Sequence, residues 1–370
     1  MTPPAATPLA RLLAEQIAAT GPITFADYMA ACLMHPVHGY YTTRDPLGAE
    51  GDFTTAPEVT QMFGELVGLA LAQAWRDQGA PAPFTLAELG PGRGTLMSDL
   101  WRAVRGVPGF QSGASVHLVE TSAPLRAVQA ERLAHLSPRW LERIEDLPED
   151  RPLYLVANEL LDALPVRQFH RDPGGWRETV VALQDGVLGL ALGPPAPVAV
   201  LDHRLGDTKP GDIVELCPAL STVVAEVARR IAGQGGLALF MDYGGWRSRA
   251  DTVQAIRAHR VADPMAEPGQ ADLTAHVDFE AVAAAARAAG AEAWGPEEQG
   301  LWLGRLGLVE RAEVLARALP DDAARQSHFA AFRRLTEADQ MGTVFKAMAI
   351  TPKAGPPPAG FAGLAAGAIA

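Results

Sequence analysis

The stretch Phe84-Thr-Leu-Ala-Glu88-Leu-Gly90-Pro-Gly92-Arg-Gly94-Thr-Leu96, running on into Met97-Ser98-Asp99-Leu100, decides the fold. Phe84 to Leu89 is an apolar run without helical period that ends on glycine, which predicts a short buried strand. Thr95 stands where an N-cap is expected, and Leu96, Leu100 and Val104 recur at helical spacing. Strand, glycine turn and helix form the opening unit of a nucleotide-type α/β domain.

Glycines at 90, 92 and 94 are one residue short of the dinucleotide fingerprint before the third glycine. Glu88 adds a second signal. A carboxylate so close to the turn would repel a pyrophosphate arriving at the helix N-terminus. It is compatible with S-adenosylmethionine (SAM), which has no phosphate and carries sulfonium and ammonium cations. Glycine lets the backbone approach such a ligand closely. Glu88, Gly90, Gly92 and Gly94 are therefore candidate cofactor residues, and on this segment alone a plain glycine-rich turn is the alternative.

Downstream, Ser115-Val-His-Leu-Val-Glu120 predicts a second strand ending on a carboxylate, so Glu120 is the expected ribose ligand. Pro124 to Leu136 is expected to be helical, and Arg143-Ile-Glu-Asp146 to end a third strand at the adenine edge. In Pro152-Leu-Tyr-Leu-Val-Ala-Asn158-Glu159-Leu-Leu-Asp162-Ala-Leu-Pro165, Leu153 to Ala157 predicts a buried parallel strand. Chemistry in open α/β sheets gathers beyond such strand ends, where Asn158, Glu159 and Asp162 put an amide and two carboxylates. Turn and cap formation would account for Asn158 and Asp162 but not for Glu159.

Upstream, Leu9 to Ala18 predicts a helix stopped by Gly21-Pro22, and Thr24 with Asp27 caps a second. His35-Pro-Val-His38 has metal-like spacing, but its proline disfavours helical geometry and structural turn histidines are expected. Gly51-Asp52-Phe53-Thr54-Thr55-Ala-Pro-Glu58 is a loop entering a helix. Thr55 and Glu58 suggest a capping box, and an apolar stripe from Val59 to Trp75 follows. Asp52, Thr54 and Thr55 are expected at the mouth of the cofactor site.

After Pro165 the helical period disappears. Val166–His170, Trp176–Leu183 and Val187–Leu192 predict strands, with Asp185-Gly186 as a hairpin turn. Glu215 is a carboxylate with two readings, one facing the site as a lesser candidate beside Glu159 and the other, which is favoured, a solvated surface acid. A fifth core strand, Leu237 to Met241, runs into Asp242-Tyr243-Gly-Gly245. Trp246 to Asp272 lacks periodicity and is expected to be a mobile loop. His276 precedes a helix beginning at Asp278, helices are expected over 311–318 and 321–336, and Thr343 to Ile350 is the last strand.

A chain of 370 residues with 48% hydrophobic and 20% charged content has room for a sizeable core. A net charge of −12 argues against general nucleic-acid binding, which needs a basic surface, and suits cationic partners. Cys32 and Cys217 are the only cysteines, so neither a disulfide framework nor a zinc site is expected, nor any other metal. No apolar run is long enough to span a membrane, and the N-terminus lacks a basic-then-apolar leader or an arginine-rich presequence. A cytoplasmic, bacterial-type chain is expected.

Taken in order, the strands near 85, 116, 142, 154, 238 and 346 resemble the α/β class I SAM-dependent methyltransferase fold. That Rossmann-like fold is a mostly parallel seven-stranded sheet with its last strand antiparallel. Gly51–Glu58 with Gln61-Met-Phe-Gly64, Glu88–Gly94, Ala157–Pro165, Asp242–Gly245 and Thr274-Ala-His-Val-Asp-Phe279 together resemble the MidA family. That family includes a mitochondrial complex I assembly factor that symmetrically dimethylates an arginine on a core subunit. The resemblance implies a protein-arginine methyltransferase using SAM and releasing S-adenosylhomocysteine, with a complex I subunit as protein substrate; a homodimer is a candidate assembly. It implies a helical extension over 1–80 and a core over 81–165 and 215–350 with a lid-like 246–275. A β-rich insertion over 166–214 and a disordered tail over 351–370 complete the plan. Gln61 and Asn158 join the implied cofactor residues. Glu159, Asp162, Asn158, His276 and Asp242 are the implied catalytic group, with Glu159 gripping the guanidinium fork. A SAM-binding assembly chaperone and a small-molecule methyltransferase are the alternatives.

Overall fold

The computed structural model describes residues 7–43 and 54–361. Two compact units emerge, one of Met1–Phe53, Asp162–Leu220 and Arg247–Asp278, the other of Thr54–Leu161, Ser221–Trp246 and Phe279–Ala370. No helix of the described residues is long and apolar enough to cross a membrane.

In the larger unit seven strands form one sheet: β1 (Phe84–Leu89), β2 (Ala114–Val119), β3 (Arg139–Leu141), β4 (Leu153–Asn158), β5 (Gly236–Gly245), β6 (Ala291–Glu298) and β7 (Phe345–Pro352). Their order is β6-β7-β5-β4-β1-β2-β3. The run β5-β4-β1-β2-β3 is parallel, and β7 is antiparallel to both its neighbours. Every residue of β1 and β4 is buried. Strands covered on both faces read as continuous apolar runs, which is why both are visible in the sequence. Trp75, Phe84, Phe110 and Tyr154 interlock on one face with ring centroids 5.0–5.9 Å apart.

Helices α1 (Gln61–Asp77) and α2 (Thr95–Ala103) pack unusually close. A Cβ at Gly64 would sit 2.7 Å from the Asp99 Cβ, so glycine there sets the helix spacing. Helix α3 (Ala123–Arg132) follows β2.

Several local expectations are corrected. Thr95 does not cap α2; Gly94 does, in left-handed backbone at φ +76°. Thr55 makes no side-chain cap either. The apolar stripe breaks at Thr60, whose hydroxyl accepts the Met62 N–H and caps α1. The released Glu58 side chain bonds to the Thr95 hydroxyl and pairs with Arg132 at 3.9 Å. The third strand is Arg139–Leu141, held by pairing with His117–Val119, and Ile144–Asp146 is a short 3₁₀ turn. Beyond 350, where a tail is expected, β7 continues to Pro352 and Phe361 is buried against Trp302 at 6.0 Å.

The smaller unit pairs helices Pro8–Thr20 and Phe25–Met34 with an antiparallel sheet of Ile23–Thr24, Gly175–Gln184, Arg167–Asp172 and Ile213–Leu216. Val187–Leu192 folds back on Gly175–Gln184 through Asp185 and Gly186, both at positive φ, as the hairpin signal predicts. Thr24 caps its helix as expected, accepting the Asp27 N–H at 3.0 Å. His35 is a turn residue whose Nδ1 accepts the N–H groups of Val37 and His38. The segment read as an aperiodic loop carries strands Gln254–Arg257, Arg260–Ala262 and Asp272–Thr274. Elements of three or four residues are too short to show a period.

Candidate active site

The glycine turn after β1 needs its glycines. Gly90, Gly92 and Gly94 have φ of +60°, +52° and +76°, a region costly for side-chain-bearing residues. A Cβ at Gly90 would lie 2.8 Å from Leu160 Cδ1, and one at Gly94 2.9 Å from Leu133 Cδ1. The Gly90 N–H donates to the Val119 carbonyl at 3.0 Å, tying the turn to the end of β2.

Around this turn, buried polar atoms are left without hydrogen-bond partners at three adjacent strand ends: Glu88 Oε2 in β1, Ser122 Oγ just past β2 and Asn158 Oδ1 at the end of β4. Each residue is at least nine-tenths buried. Buried polar groups are almost always paired, so three orphans at neighbouring strand ends make this corner a candidate for a polar ligand. Burial pushes the Glu88 carboxyl up to about 8; the Met97 N–H opposes the rise, and the nearby Glu120 adds to it. A cationic ligand offsets both burial and like-charge repulsion, whereas a phosphate adds to the repulsion.

Glu120 is held from two sides. Its Oε1 accepts the Ser122 N–H at 2.8 Å, and its Oε2 accepts the Gln129 amide at 3.3 Å. Burial raises its affinity for a proton, and these bonds favour the ionised form. A buried, oriented acceptor pair of this kind suits the vicinal hydroxyls of a ribose.

At the ends of β4 and β5 the polar groups are arranged differently. Glu159 adopts left-handed backbone at φ +51°, and its Oε1 receives both the Ala56 N–H at 2.9 Å and the Asn158 side-chain amide at 3.0 Å. A glutamate held in that conformation at a strand end is strained backbone of the kind found at functional sites. Asp242 is buried, and its carboxylate accepts the N–H groups of Leu160 (3.1 Å), Leu161 (2.8 Å) and Tyr243 (3.0 Å). Its geometry is that of a clamp on the turn that carries Glu159. The Thr54 carbonyl accepts from Arg334, Thr55 precedes the short helix Ala56–Val59, and Gln61 is exposed in the first turn of α1. Asp52 lies outside the described residues.

Asp162, Glu215 and His276 belong to the smaller unit. The Asp162 carbonyl accepts the Ala275 N–H at 2.9 Å, which brings Asp162 beside the His276 segment. The His276 N–H donates to Thr252 Oγ1 at 2.9 Å, and that hydroxyl donates to Glu215. Glu215 is 6% exposed, and it also accepts the Thr252 N–H and the Gln168 amide, each at 3.0 Å. The solvated reading of Glu215 is therefore corrected: a four-residue edge strand carries too little pattern to tell a buried acid from a surface one. Burial holds the His276 imidazole below its usual value by disfavouring the charged form.

Comparison with known proteins supplies the identity of the ligand. Residues 66–297 match a family described as S-adenosyl-L-methionine-dependent methyltransferases. The chain belongs to that family. A Burkholderia thailandensis protein crystallised with S-adenosyl-homocysteine superposes with a TM-score of 0.81 at 31% identity, over 95% of each chain. The Drosophila melanogaster protein named as a homolog of the mitochondrial protein arginine methyltransferase NDUFAF7 is 39% identical, covering 93% of this chain and 85% of its own. The human protein of that name is 36% identical, covering 94% and 84%. The resemblance to the MidA family is thereby established, and the chain is an enzyme that uses SAM and yields S-adenosylhomocysteine.

In this methyltransferase, two residues beside the glycine turn escape a reading of the sequence. Ser122 stands at an N-cap position and looks like a helix former's cap, but its hydroxyl makes no cap bond. Gln129 sits between Leu125 of α3 and Leu133, the residue that ends it, in one buried row. A polar residue inside an apolar i, i+4, i+8 row is the signal that could have found it.

Proposed function

We propose that this methyltransferase modifies an arginine guanidinium in a protein, with a subunit of respiratory complex I as substrate and symmetric dimethylation as product, in the bacterial cytoplasm. The names of its relatives support protein-arginine chemistry. The observation that carries the reading is Glu159, set in left-handed backbone at the end of a central strand with Ala56 and Asn158 converging on one carboxylate oxygen.

Arginine is a poor nucleophile because its guanidinium is protonated and delocalised. Bound SAM supplies the methyl group as a sulfonium electrophile. The chain has to align the acceptor and draw positive charge away from the reacting nitrogen. A fixed carboxylate does both through charge-assisted bonds to the guanidinium fork. Asn158 and the Ala56 N–H fix Glu159, and Asp242 holds the turn beneath it. The excess of acidic residues over the whole chain favours approach of a cationic segment.

Mass spectrometry of the quinone-reducing complex from a deletion strain tests the proposal. Arginine dimethylation is expected to disappear, to return with the wild-type chain, and not to return with Glu159→Gln, whose SAM affinity stays nearly intact. Unchanged methylation with failed assembly would replace the enzyme reading of the substrate with a chaperone role. Wild-type turnover by Glu159→Gln would end the assignment of that residue.

A further inference from the structure

We propose that Gln129 is the positioning residue that fixes the spacing between the glycine turn and the ribose carboxylate, and that through Glu120 it sets the enzyme's grip on the cofactor's ribose. This rests on Glu120 being the ribose ligand.

Gln129 is fully buried in α3, at a site where the neighbouring stripe residues are leucines. Its amide nitrogen donates to the Gly92 carbonyl at 2.7 Å and to Glu120 Oε2 at 3.3 Å, while its oxygen accepts from Trp140 Nε1 at 2.8 Å. The indole only donates, and the carbonyl only accepts. The orientation of the amide is therefore fixed by chemistry: its NH₂ end must face the turn and the carboxylate. Anchoring α3 to Trp140 would need only the oxygen. The two donations instead join the centre of the glycine turn to the acid that follows β2, the two groups that the ribose reading of Glu120 sets against the cofactor.

The same bonds orient both carboxylate oxygens of Glu120. The Ser122 N–H holds Oε1 and Gln129 holds Oε2. Without Gln129 the carboxylate can rotate out of register with the ribose hydroxyls. Burial, which already favours the protonated form, is then less opposed.

Calorimetric titration with S-adenosylhomocysteine and with its 2′,3′-dideoxyribose analogue tests the proposal. In Gln129→Met, affinity for S-adenosylhomocysteine is expected to fall about tenfold, the scale of one hydrogen bond to a charged group. Affinity for the analogue, which has no ribose hydroxyls to lose, should change less than about twofold by the same reasoning. The variant's affinity for S-adenosylhomocysteine should also drop more steeply than the wild type's as pH is lowered. Trp140→Phe, which removes only the bond that fixes the amide, should give a smaller loss with the same ribose selectivity. Equal weakening of both ligands, or no weakening, would overturn the positioning role. Glu120→Gln separates the two layers. If it leaves the ratio of the two ligands unchanged, the ribose reading of Glu120 fails; if it abolishes the ratio while Gln129→Met and Trp140→Phe preserve it, only the role of Gln129 fails.

Discussion

Glu88 and Asp242 are both buried carboxylates at the carboxyl end of parallel strands in one sheet, yet they are opposite in kind. Glu88 retains an oxygen with no hydrogen-bond partner and is pushed up to about 8 by burial. Asp242 accepts three backbone N–H groups and holds the 158–161 turn. The first keeps an acceptor open to a ligand; the second is taken up by the protein's own backbone. Position at a strand end marks a carboxylate as a candidate, and its hydrogen-bond partners decide whether it serves the ligand or the scaffold.

That contrast can be broken most forcefully at Asp242. Asp242→Ala leaves three backbone donors without their acceptor, each worth about 1–3 kcal/mol where buried. The expected loss is on the order of 4 kcal/mol, a fall in Tm of roughly 10 °C by thermal unfolding, with Asp242→Asn recovering part of it. An unshifted Tm would mean that the clamp is dispensable.

Glu88 should behave in the reverse sense. Its folded-state value of about 8 lies above the ordinary 4.5, so between those values the folded protein holds a proton that the unfolded chain has released. Stability of the cofactor-free enzyme therefore falls as pH rises through that window, by at most about 1.4 kcal/mol per pH unit. Glu88→Gln removes this slope, and thermal melts from pH 5 to pH 8 compare the two. Because a cationic ligand favours the ionised carboxylate, wild-type SAM affinity should rise with pH over the same range while that of Glu88→Gln stays flat. Parallel profiles would show that Glu88 does not titrate with folding.

The smallest effect is expected at Ser122, whose hydroxyl has no partner to lose. Ser122→Ala should leave the Tm of the cofactor-free enzyme unchanged, since only an unsatisfied group is removed. SAM affinity should drop about threefold to tenfold, the worth of one neutral hydrogen bond. A lowered Tm with unchanged affinity would place the hydroxyl in the scaffold with Asp242.

Much of this could be read before any coordinates. Glu88, the three glycines and Glu120 lie along one strand–turn–helix–strand unit, where chain order alone brings them together, so their grouping was legible. The hairpin at Asp185-Gly186 and the Thr24 cap were legible for the same reason, because each depends on residues adjacent in sequence. Helix capping at Thr55 and Thr95 was misread. The Thr95 hydroxyl is taken by Glu58 and Arg132, both distant in sequence, and that bond draws Glu58 away from the box expected with Thr55.

By itself, then, the sequence determined the parallel sheet, its glycine corner and the family, because two-sided burial writes unbroken apolar runs and the need for positive φ writes glycine. Only the tertiary structure decided which acids are spent and which are kept: that Asp242 clamps a turn, that Glu215 is buried under Thr252, and that Gln129 joins the turn to Glu120. Those distinctions depend on hydrogen-bond donors distant in sequence. Nothing in the local pattern around a carboxylate records which donors folding will bring to it.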